Sequence, residues 1–134
     1  MSKYYTPEIE EFHVGFEYEV AINDSEEGIK WIVLICNEGQ VIPEINLDKG
    51  KYVRVKYLDR EDIESLGWKY QPDRDNIELF YDNKTRKHSI IHNTINNWVI
   101  VTLRNEERKE DYTVFVGTIK NKSELKRLLK QLGI

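Results

Sequence analysis

The sequence predicts a mainly β, α+β fold. It reads as an antiparallel sheet of about six to eight strands, a meander or half-barrel, with a short helix near 59–66 and a C-terminal helix near 122–132 packed on the sheet. Three observations carry this. Apolar residues alternate with polar ones at a period of two over long stretches, turn residues separate those stretches at short intervals, and leucines recur at helical spacing only at the end of the chain. With 134 residues, 40% hydrophobic and 33% charged, the chain suits one globular domain spanning residues 1–134.

Phe12, Val14, Phe16, Tyr18, Val20 and Ile22 alternate with more polar or smaller neighbours, the pattern of a half-buried strand over 12–22. Asn23 to Gly28 supplies a turn. Residues 29–36 are apolar apart from Lys30, which predicts a central strand covered on both faces and a hairpin with its predecessor. Cys36 ends this run and reads as a small buried hydrophobe. As the sole cysteine it allows no intrachain disulfide. Residues 40–47 could add a short extended piece, with Pro43 favouring an edge.

Val53, Val55 and Tyr57 alternate with Arg54 and Lys56, giving a strand over 51–58. Asp59 can cap a short helix in which Ile63 and Leu66 share a face and which Gly67 ends in the left-handed region. A loop is expected at 71–75, then a meander of strands over 76–82, 86–92 and 95–104, a charged hairpin loop at 105–111, and a last strand over 112–119. In the final helix Asn121 caps with Glu124 reaching back. Leu125, Leu128, Leu129 and Leu132 form the apolar stripe, and Gly133 stops it.

The net charge is −4, unevenly spread. Residues 1–50 hold 3 Lys/Arg against 11 Asp/Glu, and residues 51–134 hold 17 against 13. This asymmetry suits self-association or a basic surface for a phosphate-bearing ligand, while the overall negative charge speaks against nonspecific DNA binding. There is no apolar run long enough to span a membrane and no signal-like opening, so the expected location is the cytoplasm.

The sequence lacks a nucleophile elbow, a phosphate-binding glycine loop and a dinucleotide fingerprint, so no cofactor and no catalytic residue are assigned. His88 and His92 share a strand side but lie about 13 Å apart along it, too far for one metal ion. A minor enzymatic alternative rests on His13 beside Glu17 and Glu19. The most suggestive pattern interleaves aromatics with cations. Tyr52, Arg54, Lys56, Trp68, Lys69 and Tyr70 are the candidate ligand-binding residues, with Lys51, Arg74, Lys84, Arg86 and Lys87 nearby in sequence. Such a surface stacks bases and holds phosphates.

Three blocks carry a resemblance: Tyr4 to Glu19 (YYTPEIEEFHVGFEYE), Val53 to Trp68 (VRVKYLDREDIESLGW) and Gly117 to Ile134 (GTIKNKSELKRLLKQLGI). They are similar to a group of small uncharacterised proteins of phages and prophage regions in Bacteroides-type gut bacteria. The resemblance implies that genomic setting, transfers no catalytic residue, and leaves residues 20–50 and 70–112 unmatched. The leading expectation is therefore a noncatalytic phage-type accessory protein that binds a protein partner or itself. The alternative is an anti-defence protein that sequesters a nucleotide second messenger.

Overall fold

A computed structural model describes residues 3–24, 26, 28–37 and 53–134. Strands and helices follow in the order β1 (Tyr4–Tyr5), a 3-10 turn (Ile9–Glu11), β2 (Glu17–Asp24), β3 (Gly28–Ile35), β4 (Val53–Lys56), α1 (Arg60–Ser65), β5 (Trp68–Arg74), β6 (Ile77–Asp82), β7 (His88–Asn93), β8 (Trp98–Asn105), β9 (Glu110–Thr118) and α2 (Lys122–Gln131). The mainly β, α+β reading holds, but the strands divide between a four-stranded sheet, β1-β4-β2-β3, and a five-stranded one, β5-β6-β7-β8-β9. The chain forms two compact units, Met1–Tyr57 with Arg127–Ile134, and Leu58–Lys126.

In the first unit β2 and β3 pair as an antiparallel hairpin through eight register positions, Glu17↔Ile35 to Asp24↔Gly28. The alternation expected from Phe12 becomes a strand only at Glu17. Gly15 adopts φ +91°, a left-handed turn that breaks the extended backbone, and leaves Val14 exposed. Past that turn the periodicity is obeyed. Phe16 and Tyr18 are buried with Cys36, Val53 and Val55, and Tyr5, Phe12 and Val20 pack against them. The aromatic rings meet at 5.0 Å (Phe12 to Phe16) and 5.1 Å (Phe12 to Tyr18), edge to face.

The expectation for residues 29–36 needs correction. β3 is an edge strand of its sheet among the described residues, not a central one, and Ile29, Val33 and Ile35 are 71%, 53% and 55% exposed. The pieces expected at 40–47 and at the start of 51–58 lie outside the described residues.

The second unit is the antiparallel meander read from the sequence. β5 also claims the segment expected to be a loop, because Pro72 lacks only a donor and β5, an edge strand among the described residues, spares that position from needing one. A register shift between Pro72 and Arg74 accommodates the irregularity. Ahead of β5, α1 is held by a reciprocal cap. The Asp62 N–H donates to Asp59 Oδ1 at 3.0 Å, and the Asp59 N–H donates to Asp62 Oδ2 at 3.3 Å. Gly67 at φ +97° closes it, and Ile63 is fully buried. Phe80, Ile90, Val99 and Val101 form the buried face of the sheet, with Trp68 and His92.

α2 carries the predicted cap. The Glu124 N–H donates to Asn121 Oδ1 at 2.8 Å, while Glu124 reaches one residue further back than expected and accepts from the Lys120 N–H at 2.6 Å. Leu125 and Leu129 are buried and Leu128 is partly so, whereas Leu132 is exposed. Gly133 at φ +74° and the Ile134 N–H bonded to the Leu129 carbonyl at 2.9 Å end the helix. No helix among the described residues is long and apolar enough to cross a membrane.

Candidate functional site

Because side chains alternate across a strand, the face of the five-stranded sheet opposite Phe80, Ile90 and Val101 is defined by register alone. One row across it runs Lys69, Tyr81, Ser89, Thr102. Two residues further along the strands a second row runs Gln71, Leu79, Ile91, Ile100. Two residues the other way lie Lys87 and Arg104, joined where the Arg104 N–H donates to the Lys87 carbonyl at 2.6 Å. These rows, Ile100 excepted, floor a groove of about 760 Å³, and the β6–β7 turn and the residues around Glu106 and Asp111 rim it. That volume lies within the roughly 300–1,000 Å³ typical of small-molecule sites.

The chemistry changes along the groove. At the turn end stand Arg86, Lys87 and Arg104, with Lys69 on the middle row. Three carboxylates share the lining. Asp111 lies 3.5 Å from the Arg104 guanidinium, and Asp82 is spent inside the turn, where it accepts from the Lys84 N–H at 2.9 Å and from the Thr85 hydroxyl at 2.7 Å. Burial pushes the Asp82 carboxyl up, but those donors and the neighbouring His88 outweigh it and hold it below the ordinary carboxylate range. Arg86, Lys87 and Lys69 have no ion pair among the described residues, which leaves cationic capacity facing the groove. In the middle, Ser89 and Thr102 hydroxyls bond each other across the strands. At the far end Leu79, Ile91 and Pro72 supply apolar surface. His88 also lines the groove, and its Nδ1 is buried without a hydrogen-bond partner among the described residues.

The structure sorts the candidate residues into separate places. Lys69 and Tyr70 line the groove, although the Tyr70 ring itself packs on Phe80 at 5.6 Å and lies under the Arg60 guanidinium at 3.8 Å. Arg60 in turn donates to Glu78 at 2.8 Å, an interaction that raises its pKa. Trp68 is a buried core residue. Arg54 and Lys56 belong to the other unit, on β4. There the Arg54 guanidinium lies between the Tyr4 ring at 3.7 Å and the Trp31 ring at 3.9 Å, and it donates to Glu19 at 3.2 Å. Lys56 stands opposite Tyr4 in the register. Tyr52 lies outside the described residues, as does Lys51.

The residues of the enzymatic alternative are also accounted for. Glu19 is engaged by Arg54, and His13 Nδ1 lies 2.8 Å from the Glu11 carbonyl. Neither of these, nor Glu17, lines the groove. Among the described residues no group of three or more His, Cys, Asp or Glu side chains is placed to hold a metal ion. Sequence reasoning missed Tyr81, Ser89, Thr102 and Arg104. Their polar alternation within otherwise apolar strands was the available signal. No protein family, curated protein or solved structure matches the chain.

Proposed function

We propose that this is a noncatalytic binding protein whose ligand is a small phosphate-bearing molecule with a planar body, of the nucleotide class, held in the groove of the five-stranded sheet. The observation that carries the reading is the groove itself: a volume of about 760 Å³ that sets Arg86, Lys87 and Arg104 beside the ring of Tyr81 and the apolar side chains of Leu79 and Ile91. Guanidinium and ammonium groups bind phosphate oxygens through charge-assisted hydrogen bonds, and aromatic and branched side chains cover a base. The lining offers no nucleophile paired with a base, so binding without turnover fits it better than catalysis. In the genomic setting suggested by the three resembling blocks, such a protein would act as a sponge for a nucleotide signal.

Thermal-shift and calorimetric titration with mono-, di- and cyclic nucleotides tests this. A ligand at a hundredfold excess over its Kd adds about 2.7 kcal/mol to stability, a rise of several degrees in Tm. A flat response across the whole nucleotide set would overturn the reading.

A second reading, binding to a protein partner or to itself, draws on the exposed apolar row Ile29, Val33 and Ile35 on β3. Exposed edge strands with apolar side chains pair readily with other chains. Light scattering across a concentration series, compared with Val33→Lys, decides it. A monomer at all concentrations that captures no partner would remove this reading.

A further inference from the structure

Resting on the nucleotide-class reading, we infer that the groove is polarised and fixes the direction in which its ligand lies. The phosphate sits at the turn end against Arg86, Lys87 and Arg104, and the planar group lies at the far end over Leu79 and Ile91. The argument is geometric. The row holding Lys87 and Arg104 and the row holding Leu79 and Ile91 are four residues apart along the strands, about 13 Å, so one extended small molecule can touch both and a bare anion cannot. The two ends also differ in kind. Charged side chains gather at the end of the β6–β7 turn and the β8–β9 hairpin, and the opposite end is lined by Leu79 and Ile91, with Ile100 and Val116 next to Ile91 in register outside the lining.

The acidic groups do not reverse this polarity. Asp82 is turned into its own turn by the Lys84 and Thr85 donors, and Asp111 faces Arg104 at 3.5 Å. Glu106 is the one acidic side chain of the lining without a hydrogen bond or ion pair among the described residues, and it is set against two unpaired cations at that end, Arg86 and Lys87. Between the ends, the Ser89 and Thr102 hydroxyls and the Gln71 amide provide donors and acceptors for the ligand's polar edge. Asn and Gln amides and hydroxyls read base edges, so specificity belongs to the middle and far rows and affinity for phosphate to the turn end.

The experiment is an NMR titration of the amide-labelled full chain with three probes in turn: inorganic phosphate, a nucleoside, and the corresponding nucleoside monophosphate. The polarised groove predicts that phosphate alone shifts the amides of Arg86, Lys87 and Arg104 and leaves Gln71 and Ile91 in place. The nucleoside does the reverse, and the monophosphate moves both sets. In the same assay, Arg86→Ala combined with Lys87→Ala weakens the monophosphate about tenfold or more without changing nucleoside affinity. Phosphate and nucleoside shifting the same amides, or the double variant weakening both equally, would overturn the orientation while leaving nucleotide binding intact. The absence of shifts with all three probes would overturn the nucleotide reading itself. Both variant positions are exposed, so the fold is expected to persist, and an unchanged spectrum outside the groove checks that.

Discussion

The two basic regions of the molecule use the same residue types to opposite ends. On β4, Arg54 is enclosed by its own chain: Tyr4 from β1 and Trp31 from β3 cover its two faces, and Glu19 from β2 takes one of its amino groups. One guanidinium thereby ties together all four strands of its sheet. In the groove, Lys69, Arg86 and Lys87 face open volume without an internal counter-ion among the described residues. Aromatic residues interleaved with cations along a sequence do not distinguish these outcomes. Strand pairing does, because it decides whether a ring lands on its neighbour's cation or is left facing a cavity.

The contrast is broken most forcefully at Arg54. Replacing it with alanine removes two cation–π contacts and strands Glu19, so it should cost about 2–3 kcal/mol of stability, read as a lower urea midpoint. Arg54→Lys should recover less than half of that, since an ammonium cannot lie flat between two rings. A loss under about 0.5 kcal/mol for the alanine variant would mean the enclosure is ornamental. At the groove the effect should fall on binding. Arg104→Ala should weaken a nucleotide about tenfold, roughly 1.4 kcal/mol, and shift stability by less than about 0.5 kcal/mol, because its ion pair with Asp111 is exposed.

The smallest effect concerns pH. His92 is buried, and desolvation holds its imidazole below the ordinary histidine range despite the bond between Nε2 and Asn97 Oδ1 at 3.1 Å. A folded value below the unfolded one means that the unfolded chain binds the proton first. Its contribution is therefore complete above about pH 6.5 and is lost as the pH falls from there through the folded value. Asp82, also depressed, acts in the same direction at lower pH, from about pH 4 downward. Urea midpoints between pH 7 and 5 should fall for the native chain and flatten in His92→Gln. Parallel curves would contradict the assignment.

Much of the second unit was legible in the sequence. The meander of β6 to β9, the Asp59 cap and the Asn121 cap all follow from local chemistry that acts within a few residues. What was hidden depended on pairing over longer distances. The apolar run at β3 could be covered on both faces or left at an edge, and nothing within the run decides between them. Pro72 argued for a loop because its missing donor matters only in a strand with two neighbours, and β5 has one among the described residues. The candidate site was half visible. Lys69, Arg86 and Lys87 stood out as cations, but Tyr81, Ser89, Thr102 and Arg104 join them only through the register of four strands spanning residues 68–105. Trp68 looked available beside Lys69 and is instead buried on the opposite face, as strand alternation requires.

Calorimetric titration of one nucleoside monophosphate into the native chain, Arg104→Ala and Arg54→Lys bears most directly on the division between the two basic regions. Affinity should drop about tenfold in Arg104→Ala and remain at the native value in Arg54→Lys. If Arg54→Lys abolishes binding while Arg104→Ala leaves it untouched, the ligand belongs to the four-stranded sheet and the groove assignment is wrong.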